Sequence, residues 1–296
     1  MTFLPGRDRK RFLPALSAPD IADIDKSSAI VVLPLGAIEQ HGPHLPVYVD
    51  CMTVEAVLEG AIDQVGERLN VWTLPVQAYA KSNEHIHFTG TITLSAETLS
   101  RLLRELASSL ARAGFRKLLI VNGHGGNVPT LEFTARDIRI ETGLMVFITG
   151  TGLRAGLPAG SLEPSEERWG LHAGDLETSA VMAIAPHLVH IDRIAGSAPA
   201  FLDDFSLVGP TKGTVTVAWL TEDLAANGVI GNPRTASAEK GRLAIAGGAR
   251  QLAQALEEIS RFAFPISAPV EGDGRLAQTD AGEAADMKKH ANPTRR

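Results

Sequence analysis

Carboxylate and imidazole side chains lie close together in the segment GAIEQHGPHLPVYVD, residues 36–50. Glu39 and His41 are two residues apart, so in an extended segment both side chains point to the same side. A carboxylate and an imidazole on one side can bind a divalent cation. Asp50 follows nine residues after His41, at a position that suits a carboxylate bridging two cations. The segment therefore predicts part of a metal site.

Taken alone, this segment also has an ordinary structural explanation, because short motifs of this kind are common by chance. Glu39 could pair with a lysine, and His41 could make one hydrogen bond in a loop. Three further segments favour chemistry instead. They are SNEH at 82–85, NGHGGN at 122–127 and HAGDLETS at 172–179.

Each further segment offers candidate side chains. His124 lies between glycines, which let the backbone pass close to a ligand; its segment lacks the lysine and Ser/Thr of a phosphate-binding P-loop. Glu177 falls in the first turn of a predicted helix, where the helix dipole favours a carboxylate. Asp175 is predicted to be an ordinary acid at the helix start. Glu84 and His85 form an acid–imidazole pair that could shuttle a proton.

Alternating strands and helices are predicted to hold these segments. Strands rich in β-branched residues and leucine are predicted at 29–35, 71–76, 91–94, 117–121 and 144–149. Helices with apolar residues at three- and four-residue spacing are predicted at 17–25, 52–69, 95–113, 129–142, 176–185 and 237–262. The alternation predicts a mostly parallel sheet with helices on both faces. Functional groups gather at the carboxyl ends of such strands, so three strand ends are predicted to bring the first three segments together.

The composition narrows the class of protein. The chain is 44% hydrophobic, has a net charge of −6 and a sequence pI of about 5.9. We predict one domain over 1–265 and a disordered tail at 266–296, where apolar periodicity ends. The absence of a basic stripe argues against a nucleic-acid partner. The single cysteine, Cys51, and apolar stretches of strand length only predict a cytoplasmic protein without a membrane span.

Three further histidines are predicted to be structural, and the stretch 150–170 is predicted to border the site. His87, His187 and His190 are assigned to structure, and His87 is predicted to be buried by strand alternation. The stretch 150–170 is rich in Gly and Pro and is predicted to loop over the site, with Arg168 and Trp169 shaping the pocket.

The four segments, in this order and spacing, resemble the creatininase family of amidohydrolases. The resemblance extends from about residue 20 to residue 262 and includes GVIGNPRTASAEKG at 228–241. It implies a three-layer α/β/α sandwich with a mostly parallel central sheet, and a homo-oligomer that is often a hexamer. It also implies two divalent metal ions per subunit. Histidine and carboxylate ligands suit zinc, which we expect, and also manganese or iron.

The resemblance carries over residue by residue. Four side chains match metal ligands of the family, with Asp50 as the bridge: Glu39, His41, Asp50 and His124. Creatininase has a glutamate at the position of Gly126, which argues against creatinine as the substrate; Glu177 is expected to be the replacement ligand. His172 matches the catalytic histidine and is expected to protonate the departing nitrogen, with Glu84 as a second choice. Substrate contacts are expected from Ser82, His85, Gly125 and Trp169.

The predicted function is hydrolysis of an amide C–N bond by a hydroxide that bridges two divalent metals. The substrate would be a formamide, a lactam or other cyclic amide, or another small amide. One alternative is a peptidase acting on a short peptide or a cofactor precursor. Another is a non-catalytic metal or small-molecule binding protein that kept the fold. A dinucleotide-dependent oxidoreductase is disfavoured, because the turn GAIEQHG after the first strand is not a glycine-rich dinucleotide loop.

Overall fold

A four-stranded parallel sheet, in the order β2-β1-β3-β4, lies at the centre of the computed structural model, which describes residues 11–211 and 214–265. The strands are β1 Ile30–Leu35, β2 Val71–Thr73, β3 Lys117–Asn122 and β4 Met145–Gly150. Every residue of β1 and β3 is buried, as expected for parallel strands covered on both faces. A separate pair of two-residue parallel strands consists of β5 Val208–Gly209 and β6 Val215–Thr216.

The described part of the chain contains eight α-helices. They are α1 Ala18–Asp23, α2 Val49–Val65, α3 Ala96–Arg112, α4 Val128–Thr142, α5 Pro164–Trp169, α6 Asp175–Ile184, α7 Thr221–Leu224 and α8 Ala238–Arg261. Ser17 caps α1 and Ser95 caps α3 through side-chain bonds to backbone N–H groups, which satisfies donors that a helix start leaves unpaired.

Alternate strand residues bury themselves on opposite faces of the sheet, which makes three layers. On one face, strand residues pack against α2 and α8; the buried side chains include Ile30, Val32, Leu119, Val121, Val54, Val57, Leu252 and Leu256. On the other face, strand residues pack against α3 and α4; they include Leu33, Leu35, Leu118, Ile120, Leu99, Leu103, Leu131 and Ile138. The helices on both faces confirm the prediction from the alternation of elements, and the fold is the α/β/α sandwich that the resemblance implied.

Three predicted elements differ from the structure. The predicted strand at 91–94 is wrong. Ile92 forms an isolated bridge with Ile38, and Thr93 forms one with Ala80; two single bridges to different segments do not make a strand. The predicted strand at 71–76 ends at Thr73, two residues before Pro75, and proline cannot donate to a ladder.

The third difference concerns the helix predicted at 52–69. Helix α2 begins at Val49 and ends at Val65. Asp50 therefore lies in the first turn of a helix rather than in the preceding loop. Its backbone is fixed by helical hydrogen bonds, which makes its carboxylate a more rigid group than a loop aspartate would be.

The chain up to Arg261 forms one compact unit, and a second unit runs from Phe262 to Arg296. Of the second unit the structure describes residues 262–265, in which the rings of Phe262 and Phe264 meet edge to face with centroids 5.3 Å apart. The predicted tail at 266–296 lies outside the described residues. Within the described residues, no helix combines the length and the apolar character that a membrane crossing needs.

Candidate metal centre

The candidate ligands come from four different places at one end of the sheet. Glu39 and His41 follow β1, Asp50 lies in the first turn of α2, His124 follows β3, and Glu177 lies in the first turn of α6. The first four are at most 6% exposed, whereas the side chain of Glu177 is 28% exposed. Proteins with open parallel sheets carry their functional groups at the carboxyl ends of the strands, which is where these buried acids and imidazoles lie.

The carboxylate of Asp50 lies between two imidazoles. Its Oδ1 is 3.5 Å from Nε2 of His41, and its Oδ2 is 3.4 Å from Nδ1 of His124. The two oxygens of one carboxylate therefore face two different nitrogen donors. This is the arrangement that a carboxylate bridging two cations requires.

Each imidazole also faces a second carboxylate. Oε2 of Glu39 is 3.1 Å from Nδ1 of His124, and Oε2 of Glu177 is 3.8 Å from Nε2 of His41. Three groups of possible ligands result: Glu39 with Asp50 and His124; His41 with His172 and Glu177; and Glu39 with His85 and His172, which shares one residue with each of the other two. In each group one donor atom per residue lies within 4.8 Å of the others.

Several of these atoms are buried without a hydrogen-bond partner among the described residues. They are Oε1 of Glu39, Nε2 of His41 and Oδ2 of Asp50. Buried polar atoms in folded proteins are nearly always paired, and leaving them unpaired is costly. Nitrogen and carboxylate oxygen donors are the ligand types that zinc and manganese accept. The residues present therefore fit divalent cations.

In the metal-free protein, protonated histidines offset the negative charge of the carboxylates in the cluster. Burial lowers the pKa of His41, but Asp50, Glu177 and Glu39 outweigh it and raise that pKa to about 9. Burial likewise opposes protonation of His124, yet Glu39 raises its pKa well above the usual range. Burial raises the pKa of Glu177 to about 7. Protons on two imidazoles thus offset the buried carboxylates, and cations bound there would displace those protons.

The outer nitrogens of the two imidazoles are held by oxygen atoms. Nδ1 of His41 donates to the backbone carbonyl of Glu39 at 3.1 Å. Nε2 of His124 lies 3.0 Å from the carbonyl of Lys81 and 3.2 Å from Oε1 of Glu84. Such hydrogen bonds leave the opposite nitrogen free to bind a metal and fix the orientation of the ring. Both rings are therefore oriented as metal ligands are.

His172 lies against Glu39 and His41. Its Nδ1 is 3.5 Å from Oε1 of Glu39, and its Nε2 donates to the carbonyl of Gln40 at 2.6 Å. Its ring centroid is 4.2 Å from that of His41. Burial, followed by the charges of His41 and His85, holds the pKa of His172 well below its usual range. The imidazole is therefore neutral at neutral pH.

The backbone beside His172 is strained. Ala173 has a φ of +53°, which is uncommon for a residue other than glycine and costs about 1–3 kcal/mol. The N–H of Ala173 donates to Oε2 of Glu177 at 2.6 Å. This bond joins the histidine segment to the first turn of α6, so His172 and Glu177 keep a fixed relative position.

Ser82 and His85, predicted as substrate contacts, both contact Glu39. The hydroxyl of Ser82 donates to Oε2 of Glu39, and Nε2 of His85 is 3.5 Å from Oε1 of Glu39. Both side chains are at most 2% exposed. Their observed contacts are therefore with a candidate metal ligand; a contact with substrate stays a prediction.

An open cavity of about 410 Å³ leads to the cluster. Its lining includes Asp50, His124, Gly125, Glu177 and the stretch 150–154. The first part of the predicted loop 150–170 therefore borders the site. Gly125, predicted to contact substrate, lies at this surface.

Trp169 lies elsewhere. Its ring packs with Leu171 and Trp219 against Leu202 and Leu224, and none of these five residues lines the cavity. Arg168 stands over the Trp169 ring, 5.0 Å from its centroid, and pairs with an exposed aspartate. The contacts of Trp169 are those of a packing residue, and its role as a substrate contact stays a prediction.

The environments of His87 and Asp175 differ from those that the sequence predicted. His87 is exposed, with 65% of its side chain accessible, and bonds to Glu222; no strand buries it, because the predicted strand nearby does not form. Asp175 is no ordinary helix-start acid. It is fully buried, pairs with Lys240 at 2.5 Å and accepts a bond from Ser179 at 2.9 Å.

The sequence reasoning missed several residues around the cluster. Gln40 contacts both His85 and His172, and Thr221 contacts His85 from 136 positions away. Gln40 could have been noticed, since it lies between two candidate ligands. Thr221 carries no local signal. It reaches the site only because α7 packs beside the segment 83–85.

Known proteins resemble this chain in sequence and in fold. The family model described as "Creatininase: Creatinine amidohydrolase" matches residues 14–256. The chain is 36% identical over 217 residues to a mycofactocin precursor peptide peptidase of Mycobacterium ulcerans, covering 72% of this chain and 78% of the relative.

Two solved structures share the fold. One, described as "Creatininase Mn", has a TM-score of 0.67 and 27% identity, covering 85% of this chain and 99% of that one. A mutant creatininase described as "Zn-Zn type" has a TM-score of 0.67 and 26% identity, covering 85% and 98%.

Proposed function

The chain belongs to the creatininase family, and we propose that it hydrolyses an amide C–N bond at a pair of divalent cations. The observation that carries the proposal is the position of Asp50 between His41 and His124, together with buried atoms of Glu39, His41 and Asp50 that have no hydrogen-bond partner among the described residues. The proposed ligands are Glu39, His41, Asp50, His124 and Glu177, with Asp50 as the bridge.

Bound cations would supply a nucleophile at neutral pH and polarise the amide carbonyl. The chain's own residues move the protons. The neutral imidazole of His172 offers Nδ1 toward the cluster and can accept a proton from the attacking water. It then returns that proton to the nitrogen as the C–N bond breaks. Glu84, which faces His124 and borders the same cluster, is the second candidate for proton transfer.

The proposed metals are two per chain, with zinc expected and manganese or iron compatible with the donors. Creatininase structures described as Mn and Zn-Zn types support zinc and manganese. The proposed ligands are three carboxylates and two imidazoles, without a thiolate. Zinc, manganese and iron all accept such ligands, so the ligand types do not distinguish among these metals.

The proposed substrate is a small amide, such as a formamide or a cyclic amide. A short peptide is the second candidate, favoured by two observations. The cavity of about 410 Å³ is within the range of pockets that hold drug-sized ligands. A relative with 36% identity is described as a peptide peptidase. Ser82, His85, Gly125 and Trp169 stay proposed substrate contacts.

We propose that the chain works as a homo-oligomer, with a hexamer expected from the resemblance, in the cytoplasm and without a nucleic-acid partner. Exposed apolar side chains on the segment around β5 and β6 support self-association; they include Phe201, Phe205, Leu207 and Val215. Large exposed apolar groups often mark interfaces where they form a contiguous patch. Light scattering of the purified protein gives the number of chains.

The experiment that tests the proposed activity removes metal with a chelator and restores zinc or manganese. Release of amine is then measured from formamides, cyclic ureas, lactams and short peptides. We expect hydrolysis of at least one of these amides only after metal is restored. Tight metal binding with no hydrolysis across the whole set would instead favour a non-catalytic binding protein.

A matched pair of variants makes the test specific to the cluster. Asp50→Asn keeps the shape of the side chain but removes the bridging charge, so metal content and activity should fall together. Asp63→Asn makes the same change at an exposed position on the same helix and should alter neither. Full metal content in Asp50→Asn would contradict the ligand assignment.

A further inference from the structure

The side-chain amide of Gln40 has a fixed orientation. Its Oε1 accepts the backbone N–H of Gly42 at 2.7 Å, and its Nε2 donates to the carbonyl of Gly228 at 2.9 Å. A backbone N–H can only donate and a carbonyl can only accept, so the two ends of the amide cannot be exchanged. The residue is 5% exposed.

This orientation determines where His85 carries its proton. Nε2 of Gln40 also lies 2.9 Å from Nδ1 of His85. Since the amide nitrogen only donates, Nδ1 must be the accepting nitrogen. The neutral ring then carries its hydrogen on Nε2, the nitrogen 3.5 Å from Oε1 of Glu39.

The backbone of Gln40 acts on His172 in the same way. Its carbonyl accepts a hydrogen bond from Nε2 of His172 at 2.6 Å, so that nitrogen carries the hydrogen. The lone pair of the neutral ring is then on Nδ1, which is 3.5 Å from Oε1 of Glu39. One residue thus contacts both imidazoles, one through its side chain and one through its backbone.

We propose that Gln40 is a positioning residue that sets the tautomers of His85 and His172, so that His85 presents N–H and His172 presents a lone pair to the same oxygen of Glu39. The proposal rests on the proposed function, because it assigns these tautomers to a hydrolytic site. The proton-accepting nitrogen of His172 is then directed toward the cluster before substrate arrives, as preorganised catalysis requires.

The backbone at Gly228 is shaped to receive Gln40. Gly228 has a φ of +81°, a conformation that side-chain-bearing residues rarely adopt. A β-carbon at this position would overlap Oε1 of Gln40. Glycine there serves both the turn and the close approach of the amide.

Thr221 is the competing determinant of the His85 tautomer. Its hydroxyl is 2.7 Å from Nδ1 of His85 and 2.9 Å from the carbonyl of Glu84. If the hydroxyl donates to Glu84, it could accept a hydrogen from Nδ1, which would reverse the tautomer. That arrangement would set two donors, Nδ1–H and the Gln40 amide, against each other at 2.9 Å. The fixed amide therefore decides the tautomer.

The test is neutron diffraction from crystals of the zinc-loaded protein and of two variants, with steady-state kinetics on the same preparations. In the wild type, hydrogen should be found on Nε2 of both His85 and His172. Gln40→Glu replaces the donor by an acceptor, so His85 should gain hydrogen on Nδ1 while His172 is unchanged. Thr221→Val removes the hydroxyl at nearly constant shape and should leave both tautomers as they are.

The kinetic result distinguishes positioning from a purely structural role. Gln40→Glu should keep its metal content and KM but lose about 10- to 100-fold in kcat. The reason is that His85 would lose the N–H that faces Glu39, a proposed metal ligand, and losing a partner of a ligand usually has a cost of this size. Gln64→Glu, the same change at an exposed position of α2, should keep full kcat. Hydrogen on Nδ1 of His85 in the wild type, or a tautomer change in Thr221→Val, would overturn the proposal. A Gln40→Glu protein with a changed tautomer and full kcat would also overturn it.

The neutron result does not depend on activity. If the wild-type protein hydrolysed no amide but showed both predicted tautomers, the proposed function would fail while the assignment of hydrogens to Gln40 would hold. If it hydrolysed amides with the opposite tautomer at His85, the proposed function would hold while the assignment of hydrogens to Gln40 would fail. The two failures are therefore distinguishable.

Discussion

The carboxylate of Glu84 occupies the space that a side chain on Gly126 would enter. The same β-carbon would also overlap Nε2 of His124. The resemblance to the creatininase family implies a glutamate at this position, whereas here the acid that reaches His124 is Glu84, from another loop. Glycine at 126 is thus linked to the presence of Glu84, and the two positions form one unit of the site.

Gly126→Ala should displace Glu84 and disturb His124. We expect activity to fall at least tenfold, since displaced groups behind a metal ligand cost about 10- to 100-fold. Gly125→Ala is the matched control for folding, because a β-carbon there meets nothing within 4 Å. Amide hydrolysis and metal content are measured for Gly126→Ala, and thermal unfolding is measured for both variants. A Gly126→Ala protein with wild-type activity and metal content would show that Glu84 moves freely.

His172→Gln should separate proton transfer from metal binding. The substitution removes the proton-accepting Nδ1 but no proposed ligand, so kcat should fall by about 10²- to 10⁴-fold. Metal content, measured by elemental analysis, should stay at the wild-type value. His187→Gln, at an exposed position, is the control. Loss of metal in His172→Gln would make His172 a ligand instead.

Lys240→Met tests the buried pair that anchors the start of α6. Asp175 is fully buried and has Lys240 Nζ at 2.5 Å. Removing the cation leaves a buried carboxylate without its ion-pair partner, which should lower the free energy of unfolding by about 3 kcal/mol.

The control for this pair is Arg242→Met on the same helix. Arg242 pairs with Glu239 at 2.8 Å, but 63% of its side chain is exposed. Exposed pairs contribute less than about 1 kcal/mol, so this variant should unfold near the wild type. Denaturant titration of both proteins checks the difference. Equal stability of the two variants would contradict the role given to Asp175.

Metal binding should release protons in a pH-dependent way. The pKa of His41 is raised to about 9 in the metal-free protein, so below that pH the ring is protonated and must lose a proton before it binds metal. Proton release should therefore decrease by about one per chain as the pH rises from about 7.5 to about 10.

Calorimetry of zinc binding in buffers of different ionisation enthalpy counts these protons. A release that is constant from the lower to the higher pH in the wild type would contradict the protonated state of His41.

The sequence predicted those features that depend on runs of residues. The strand predicted at 29–35 is observed as Ile30–Leu35, because a continuous β-branched and leucine run in this position has few alternatives to a buried strand. The order of strands and helices predicted the layers. Because parallel strands end at one edge, it also predicted that Glu39 and His124 would meet.

The features that the sequence did not predict depend on contacts between distant segments. Helix α2 starts at Val49 without a side-chain cap, so no local signal placed Asp50 inside the helix. Thr221 reaches His85, and Lys240 reaches Asp175, across loops whose path no short pattern specifies. Hydrogen-bond partners behind the candidate ligands could therefore be found only in three dimensions.

Anomalous X-ray diffraction from crystals of the metal-loaded protein shows directly whether Asp50 joins two cations. Data collected at the absorption edge of the bound metal locate each cation without reference to the protein. We predict two peaks per chain, about 3.5–4 Å apart, one on the His41 side of Asp50 and one on the His124 side. A single peak, or peaks that do not contact Asp50, would contradict the account.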